Sequence, residues 1–317
     1  MTTTPKKLLY LILLAILFSS CEKVVEFDID DSERYVVVNA MPSTDSLFFA
    51  NITYSRYFLD NQPFAAVTDA TVTLDVNGTE YNSTARDGAN YLFAYRAVAG
   101  DTLTLHVDVP GRDAIVGGTR LPALPDMQPP LAELDTLQPL NTAEITFTIT
   151  DPAGRNYYYV YLTERDSGIR WNRWEKRWDT VDTVIHPIFN CLNNEITNPS
   201  VNNMGGTMNY FSRLLFSDSL IDRQQYDVTI SLMMLKDTAE HPLVKQYSLV
   251  VESLSPEAHR YTKEVLSSQG MSSNFAEPSR IYSNISGALG IMAGIARRYY
   301  PLTFTYKQPE EEKKRTF

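Results

Sequence analysis

The sequence predicts a mainly β protein: an N-terminal immunoglobulin-like β-sandwich followed by a second β-rich, sandwich-like domain with one amphipathic helix. Short alternating segments fill the first half, with glycine- or proline-marked turns between them. A proline-dense stretch then separates the two halves. A capped helical pattern interrupts the second strand series.

In the first half RYVVVNA, SLFFANITYSRY, DATVTLDV, TEYNST, NYLFAY, TLTLHVDV and AIVGGT follow one another. Val72, Leu74 and Val76 alternate with Thr71, Thr73 and Asp75, giving one apolar and one polar face. Asn77-Gly78 comes next and favours a two-residue hairpin turn, because both residues tolerate positive φ. Gly88, Gly100 and Pro110-Gly111 punctuate the later segments. About seven strands of this kind assign residues 35–122 to an immunoglobulin-like sandwich.

Leu121 to Leu140 holds five prolines, each lacking an N–H donor and fixing φ, so 123–140 reads as a proline-rich linker. Strand patterns resume in EITFTIT, NYYYVYL, YDVTISLMML and VKQYSLVVESL, which makes 141–306 the second β-rich domain. Its helix has Ser255 as cap, Pro256 at the first helical position, Glu257 at the positive end and Gly270 to close it. Ala258, Tyr261, Val265 and Leu266 share a face, which should lie on a sheet. Residues 307–317 are rich in charge and poor in apolar side chains, as a disordered tail would be.

At the start, Lys6 and Lys7 precede eleven apolar residues, Leu8 to Phe18, and two serines lead to Cys21. That is the order of a secretory signal peptide, and the run is shorter than the ~20 apolar residues of a membrane span. Leu17-Phe18-Ser19-Ser20-Cys21 resembles a bacterial lipobox. Residues 1–20 are therefore expected to be a lipoprotein signal peptide, Cys21 the lipidation site and 21–34 an acidic tether. A cysteine carrying several acyl chains would be held stably on its membrane, where one chain holds marginally.

Removing residues 1–20, which carry two lysines and no acid, takes the net charge from −10 to −12. Such a chain repels phosphate backbones, and nucleic acid is not expected as a partner. With Cys21 acylated, Cys191 has no partner for a disulfide and should be a buried, inert thiol. His106, His186, His241 and His259 lack metal-ligand spacing, so neither a metal nor another cofactor is expected. No nucleophile elbow or phosphate-binding loop occurs, and Gly287, Gly290 and Gly294 read as sites of close strand packing. The residues make no positive case for an enzyme.

All three tryptophans stand in IRWNRWEKRW, interleaved with cations. On a helix Trp171, Trp174 and Trp178 would line one face; on a hairpin Trp174 and Trp178 would share a face with Trp171 pointing away. They either pack over a sheet edge or, with Arg173 and Arg177, form a contact patch for a sugar, a protein or acidic lipid headgroups. Asp-Ser/Thr followed by an aliphatic or small residue recurs at Ser46, Thr102, Thr136, Thr180, Thr183, Ser219 and Thr238. The pattern resembles a bacterial O-glycosylation motif, and it also suits turns that start strands.

Phe216-Ser217-Asp218, the helix start SPEAHRY, Phe275-Ala276-Glu277-Pro278 and Tyr282-Ser283-Asn284-Ile285 resemble the C-terminal signature of domain-of-unknown-function family 4249. The strand series and lipobox fit the same family. The resemblance implies an outer-membrane lipoprotein, non-enzymatic, acting as an accessory or binding component beside a TonB-dependent transporter in nutrient uptake. Glu22, Glu26, Asp28, Asp30 and Asp31 look like an acidic surface-export tag, interrupted by Lys23. The alternatives are a surface glycan-active or hydrolytic enzyme and an adhesion or envelope-structural protein.

Overall fold

The computed structural model describes residues 34–57, 60–135, 141–197, 210–234, 243–268 and 281–306. Cys21, the expected signal peptide, nearly all of the tether and the charged tail lie outside them, as do Thr136, Thr238, His241 and Phe275 to Pro278. From Tyr35 onward the described residues form one compact unit.

The first half of the chain supplies β1 (Val36–Ala40), β2 (Leu47–Tyr54), β3 (Thr71–Val76), β4 (Thr79–Asn82), β5 (Ala85–Asp87), β6 (Asn90–Arg96), β7 (Thr102–Asp108) and β8 (Ile115–Arg120). Next come β9 (Asp126–Met127), β10 (Leu131–Asp135), β11 (Asn141–Thr150), β12 (Tyr157–Asn172), β13 (Arg177–Ile185) and β14 (Phe189–Cys191). They are followed by β15 (Tyr210–Phe211), β16 (Leu214–Ser217), β17 (Gln225–Met234), β18 (Val244–Leu254) and helix α1 (Pro256–Ser268). The last strands are β19 (Ile285–Ser286), β20 (Leu289–Met292), β21 (Ile295–Pro301) and β22 (Phe304–Tyr306).

Two sheets of five strands, ordered β20-β1-β2-β6-β5 and β19-β8-β7-β3-β4, enclose the first core. Val38, Ile52 and Phe93 from one sheet meet Leu74, Leu105 and Ile115 from the other. Each such burial is worth about 1.5–3 kcal/mol, so the period-two alternation read from the sequence drives the sandwich. Asn77 and Gly78 take φ of 52° and 87° and close β3 onto β4, with Val76 opposite Thr79.

The second core lies between the sheet β15-β14-β17-β11-β10-β22, with β9 added on β11, and the sheet β13-β12-β18-β21, with β16 added on β12. Ile145, Phe147 and Ile230 face Tyr158, Leu162 and Leu249 across it. Cys191 is buried and free, and burial pushes its thiol up to about 11.

Two expected boundaries are corrected. The segment 123–140 is not simply a linker, because β9 and β10 join the second sandwich. Its prolines at 125, 129 and 130 flank these strands without entering them, so no ladder donor is lost. Nor do residues 141–306 all belong to the second sandwich. After α1 the chain returns to the first, where β19 pairs antiparallel with β8 and β20 pairs parallel with β1. Ile285 and Met292 enter the first core. The immunoglobulin-like expectation therefore holds at the level of a β-sandwich, in which strands from both ends of the chain share each sheet.

Helix α1 begins as expected. The Ser255 hydroxyl accepts the Ala258 N–H at 3.2 Å, and the Ser255 carbonyl accepts the His259 N–H at 2.9 Å. Ala258, Tyr261 and Leu266 pack with Leu215, Leu254 and Ile295 on the outer face of the β12–β18–β21 sheet. His259 stacks on Tyr157 with ring centroids 4.1 Å apart.

Gly290 has φ of 119°, and a Cβ there would stand 1.9 Å from the Val38 carbonyl oxygen. Gly290→Ala should therefore part β20 from β1 and cost roughly 2–4 kcal/mol, read as a fall in Tm by calorimetry. Burial, with the charges of Lys263 and Arg155, pulls His259 from its ordinary 6.5 to about 4. Between those values the unfolded chain takes a proton that the folded one refuses, so this residue's share of stability is lost as pH falls from 6.5 towards 4. A His259→Phe variant keeps the stack and should show a flatter Tm against pH in that window; a slope equal to that of the wild type would refute the assignment.

Candidate functional site

Strand β12 outlasts its sheet. Tyr158 to Ser167 pair with β18, whereas Gly168 to Asn172 pair with β13 alone. The turn from Arg173 to Lys176 is set by Asn172, whose Oδ1 accepts the N–H groups of Trp174 and Glu175, each at 3.1 Å. Its Nδ2 donates to Asp179 at 2.7 Å, and Lys176 takes the left-handed φ of 52° that brings the chain back. Trp174 stands at the tip, 92% exposed.

Trp171 lies opposite Trp178 in the ladder, and their rings meet edge-on at 5.5 Å. This corrects the expected faces. Counting alternate positions along one strand sent Trp171 away from Trp178, but four residues are spent in the turn and the two become cross-strand partners. Neither is buried: they are 48% and 50% exposed. Arg173 is exposed, and Arg177 pairs with Glu175 at 2.7 Å and Asp179 at 2.8 Å. Pairs this exposed contribute about 0–1 kcal/mol, so they orient the arm more than they stabilise it.

A second feature was not legible in the sequence. A cleft of about 340 Å³ opens on the outer face of the β12–β18–β21 sheet, beside α1, lined by Tyr159, Tyr161, Tyr261, His186, Arg213 and Arg297 over Leu254 and Leu266. That is a small-ligand volume, apolar with a few polar groups. Glu252, only 4% exposed, also lines it. Its Oε1 accepts from Arg297 Nε at 2.6 Å and from the Tyr161 hydroxyl at 3.1 Å. Burial pushes the Glu252 carboxyl up, and the Arg297 charge with these two hydrogen bonds offsets part of that. The His186 ring meets Tyr161 edge-on at 5.3 Å, with Nδ1 3.1 Å from the Leu162 carbonyl oxygen. Burial pushes the Tyr159 hydroxyl up, and the Arg213 charge on the same cleft wall offsets part of that. The polar groups are thus held in place by one another, which suits binding by aromatic faces and cations.

Sequence spacing also hid the carboxylates of Asp151, Asp218 and Asp222, which come within 4.8 Å of one another. Asp151 accepts the Tyr158 hydroxyl at 2.6 Å and the Arg223 N–H at 3.1 Å, and Asp218 accepts the Asn156 N–H at 2.6 Å. Burial raises Asp151, and its acidic neighbours add to the rise against these hydrogen bonds. The cluster pins the ends of β11, β12 and β16 together. Ser46, Thr102, Thr180, Thr183 and Ser219 are all exposed. The aspartate before each of them is engaged: Asp45 with Arg297, Asp101 with the Val98 N–H, Asp179 with Arg177, Asp182 with Arg165, and Asp218 as above.

The family model described as "Domain of unknown function (DUF4249)" matches residues 22–299. The chain belongs to this family. Comparison with curated proteins gives no match. Among solved structures, a similar chain comes from work titled "The Enterococcus faecalis MSCRAMM ACE binds its ligands by the collagen Hug Model". It is 10% identical, with 87% of this chain and 99% of that one covered, at a TM-score of 0.20. A likeness at that score is too slight to bear on function.

Two residues of the DUF4249 signature, Ser255 and Asn284, sit at the junction of the two sandwiches, whereas Phe216 belongs to the second core. Asn284 Nδ2 donates to the carbonyls of Gly118 at 3.1 Å and Met292 at 2.8 Å. The Gly294 N–H lies 3.1 Å from both the Ser255 and the Thr119 hydroxyl oxygens. Arg297 then joins Glu252 of β18 to Asp45 before β2, at 3.0 Å. Arg297→Ala would leave Glu252 buried without its counter-charge and should cost about 3–5 kcal/mol, measurable by urea denaturation. Arg297→Lys should recover only part, since one ammonium cannot reproduce the fork.

Proposed function

We propose that this DUF4249 member is a non-enzymatic lipoprotein of the outer membrane, anchored through Cys21, that serves as an accessory or binding component of TonB-dependent nutrient uptake. The observation that carries this reading is the aromatic and cationic cleft between α1 and the β12–β18–β21 sheet. Its volume suits a small cargo molecule, and Arg213 with three tyrosines offers a charge and stacking faces to hold one. The hydrolytic alternative would need a carboxylate available for proton transfer, whereas Glu252 is engaged by Arg297 and Tyr161.

Tagged protein drawn from detergent-solubilised membranes should bring a TonB-dependent transporter with it, identified by mass spectrometry. Its intact mass should fit a chain that begins at an acylated Cys21. A transporter-free eluate removes the uptake role, and an unacylated mass removes the anchor. Tyr261→Ala, on the cleft wall, should leave the transporter bound and weaken growth on the imported nutrient.

A further inference from the structure

We infer that the Trp171–Trp178 hairpin is a membrane-seeking arm whose tip seats in the headgroup layer of an anionic phospholipid bilayer. The inference goes beyond the uptake reading and does not depend on acylation of Cys21.

Placement comes first. Every tryptophan of the chain is on this one hairpin, and Trp174 at its tip is among the most exposed of the large apolar side chains described. Ile169 and Val184 continue the exposed apolar surface down the arm. Tryptophan favours the boundary between hydrocarbon and water, where its ring is half in each and its N–H stays wet. The turn is ordered by Asn172, so the ring is displayed without a large ordering cost on contact.

Charge selects the surface. From Arg170 through Trp178 there are four cations and the single acid Glu175, in a chain whose net charge is −10. Arg177 is engaged by Glu175 and Asp179, while Arg173 and Lys176 have no ion pair among the described residues. Cations beside exposed tryptophans match a layer of lipid phosphates.

Shape separates a bilayer from a protein partner. A stable protein interface takes about 800 Å² from each side, usually around a well-packed centre. A two-stranded tip is narrow and convex, and a fluid headgroup layer conforms to it. Reach also suffices. Gly168 to Asn172 extend past the last β18 pairing, about 17 Å at ~3.3 Å per residue, against the roughly 5–10 Å depth of interfacial seating.

Because the tryptophans are confined to the arm, fluorescence excited beyond the absorption of tyrosine reads it alone. The full chain and its full-length Cys21→Ala variant are each added to vesicles of phosphatidylglycerol and phosphatidylethanolamine, with and without acyl-brominated lipid, and to phosphatidylcholine vesicles. In the anionic vesicles both proteins should shift emission to shorter wavelength and be quenched by bromine, more than in phosphatidylcholine. Arg173→Gln with Lys176→Asn, both at exposed turn positions, should weaken partition of the Cys21→Ala protein about thirtyfold. Trp174→Ala should remove most of the quenching while leaving the Tm unchanged. Unquenched tryptophans in an acylated, vesicle-bound protein would overturn the arm and leave the anchor standing. Equal quenching on both lipid types, unmoved by loss of the two cations, would overturn the anionic preference. A shift produced by purified transporter without lipid, and not by vesicles, would assign the arm to a protein instead.

Discussion

The compact unit depends on one buried carboxylate finding its counter-charge. Glu252 sits inside β18 with almost no access to water, and without Arg297 its ionised form would be costly there. The same guanidinium reaches Asp45, and Asp45 also accepts the Tyr299 hydroxyl at 3.0 Å. Backbone follows side chain at this point. The Ala293 N–H donates to Ala40, the Ile295 N–H to Pro42 and the Thr44 N–H to Ile295, so the loop after β1 runs beside the segment between β20 and β21. One continuous stretch thus leaves the first sandwich and enters the second while bonded to both. The cleft beside α1 inherits its geometry from that seam, because Met41, Ile295 and Arg297 belong to it.

Much of the fold was legible because it is local. Alternation in β3, the Asn77-Gly78 turn and the Ser255 cap each depend on residues a few positions apart, and each was found where the pattern put it. What stayed hidden depends on separation. Nothing in LGIM announces a parallel partner some 250 residues upstream, since a strand shows its pattern of burial but not the identity of its neighbour. Proline density misled for a different reason: it marks where ladders cannot run, and short strands fit between such marks.

The tryptophan segment divides in the same way. Residue type and clustering were visible, and so was the choice between packing and contact. Orientation was not, because it turns on how many residues the turn consumes, and Asn172 decides that. The cleft was invisible for the same reason as the β20 pairing. Tyr159, His186, Arg213, Glu252, Tyr261 and Arg297 come from six places along the chain and meet only on the folded surface. A cleft of paired polar groups and an arm of exposed aromatics are chemically distinct, so one protein can hold a small molecule at one place and a surface at another.

The return of β19 and β20 also has a temporal meaning. A chain made from its amino terminus has all eight early strands in hand long before Ile285 to Met292 exist, yet β1 and β8 still wait for neighbours. The early sandwich stays unsealed, two of its edges open, until that returning segment has emerged. Segments some 250 residues apart thus close one sandwich between them, and a chain cut short before Ile285 would betray the loss in its oldest part.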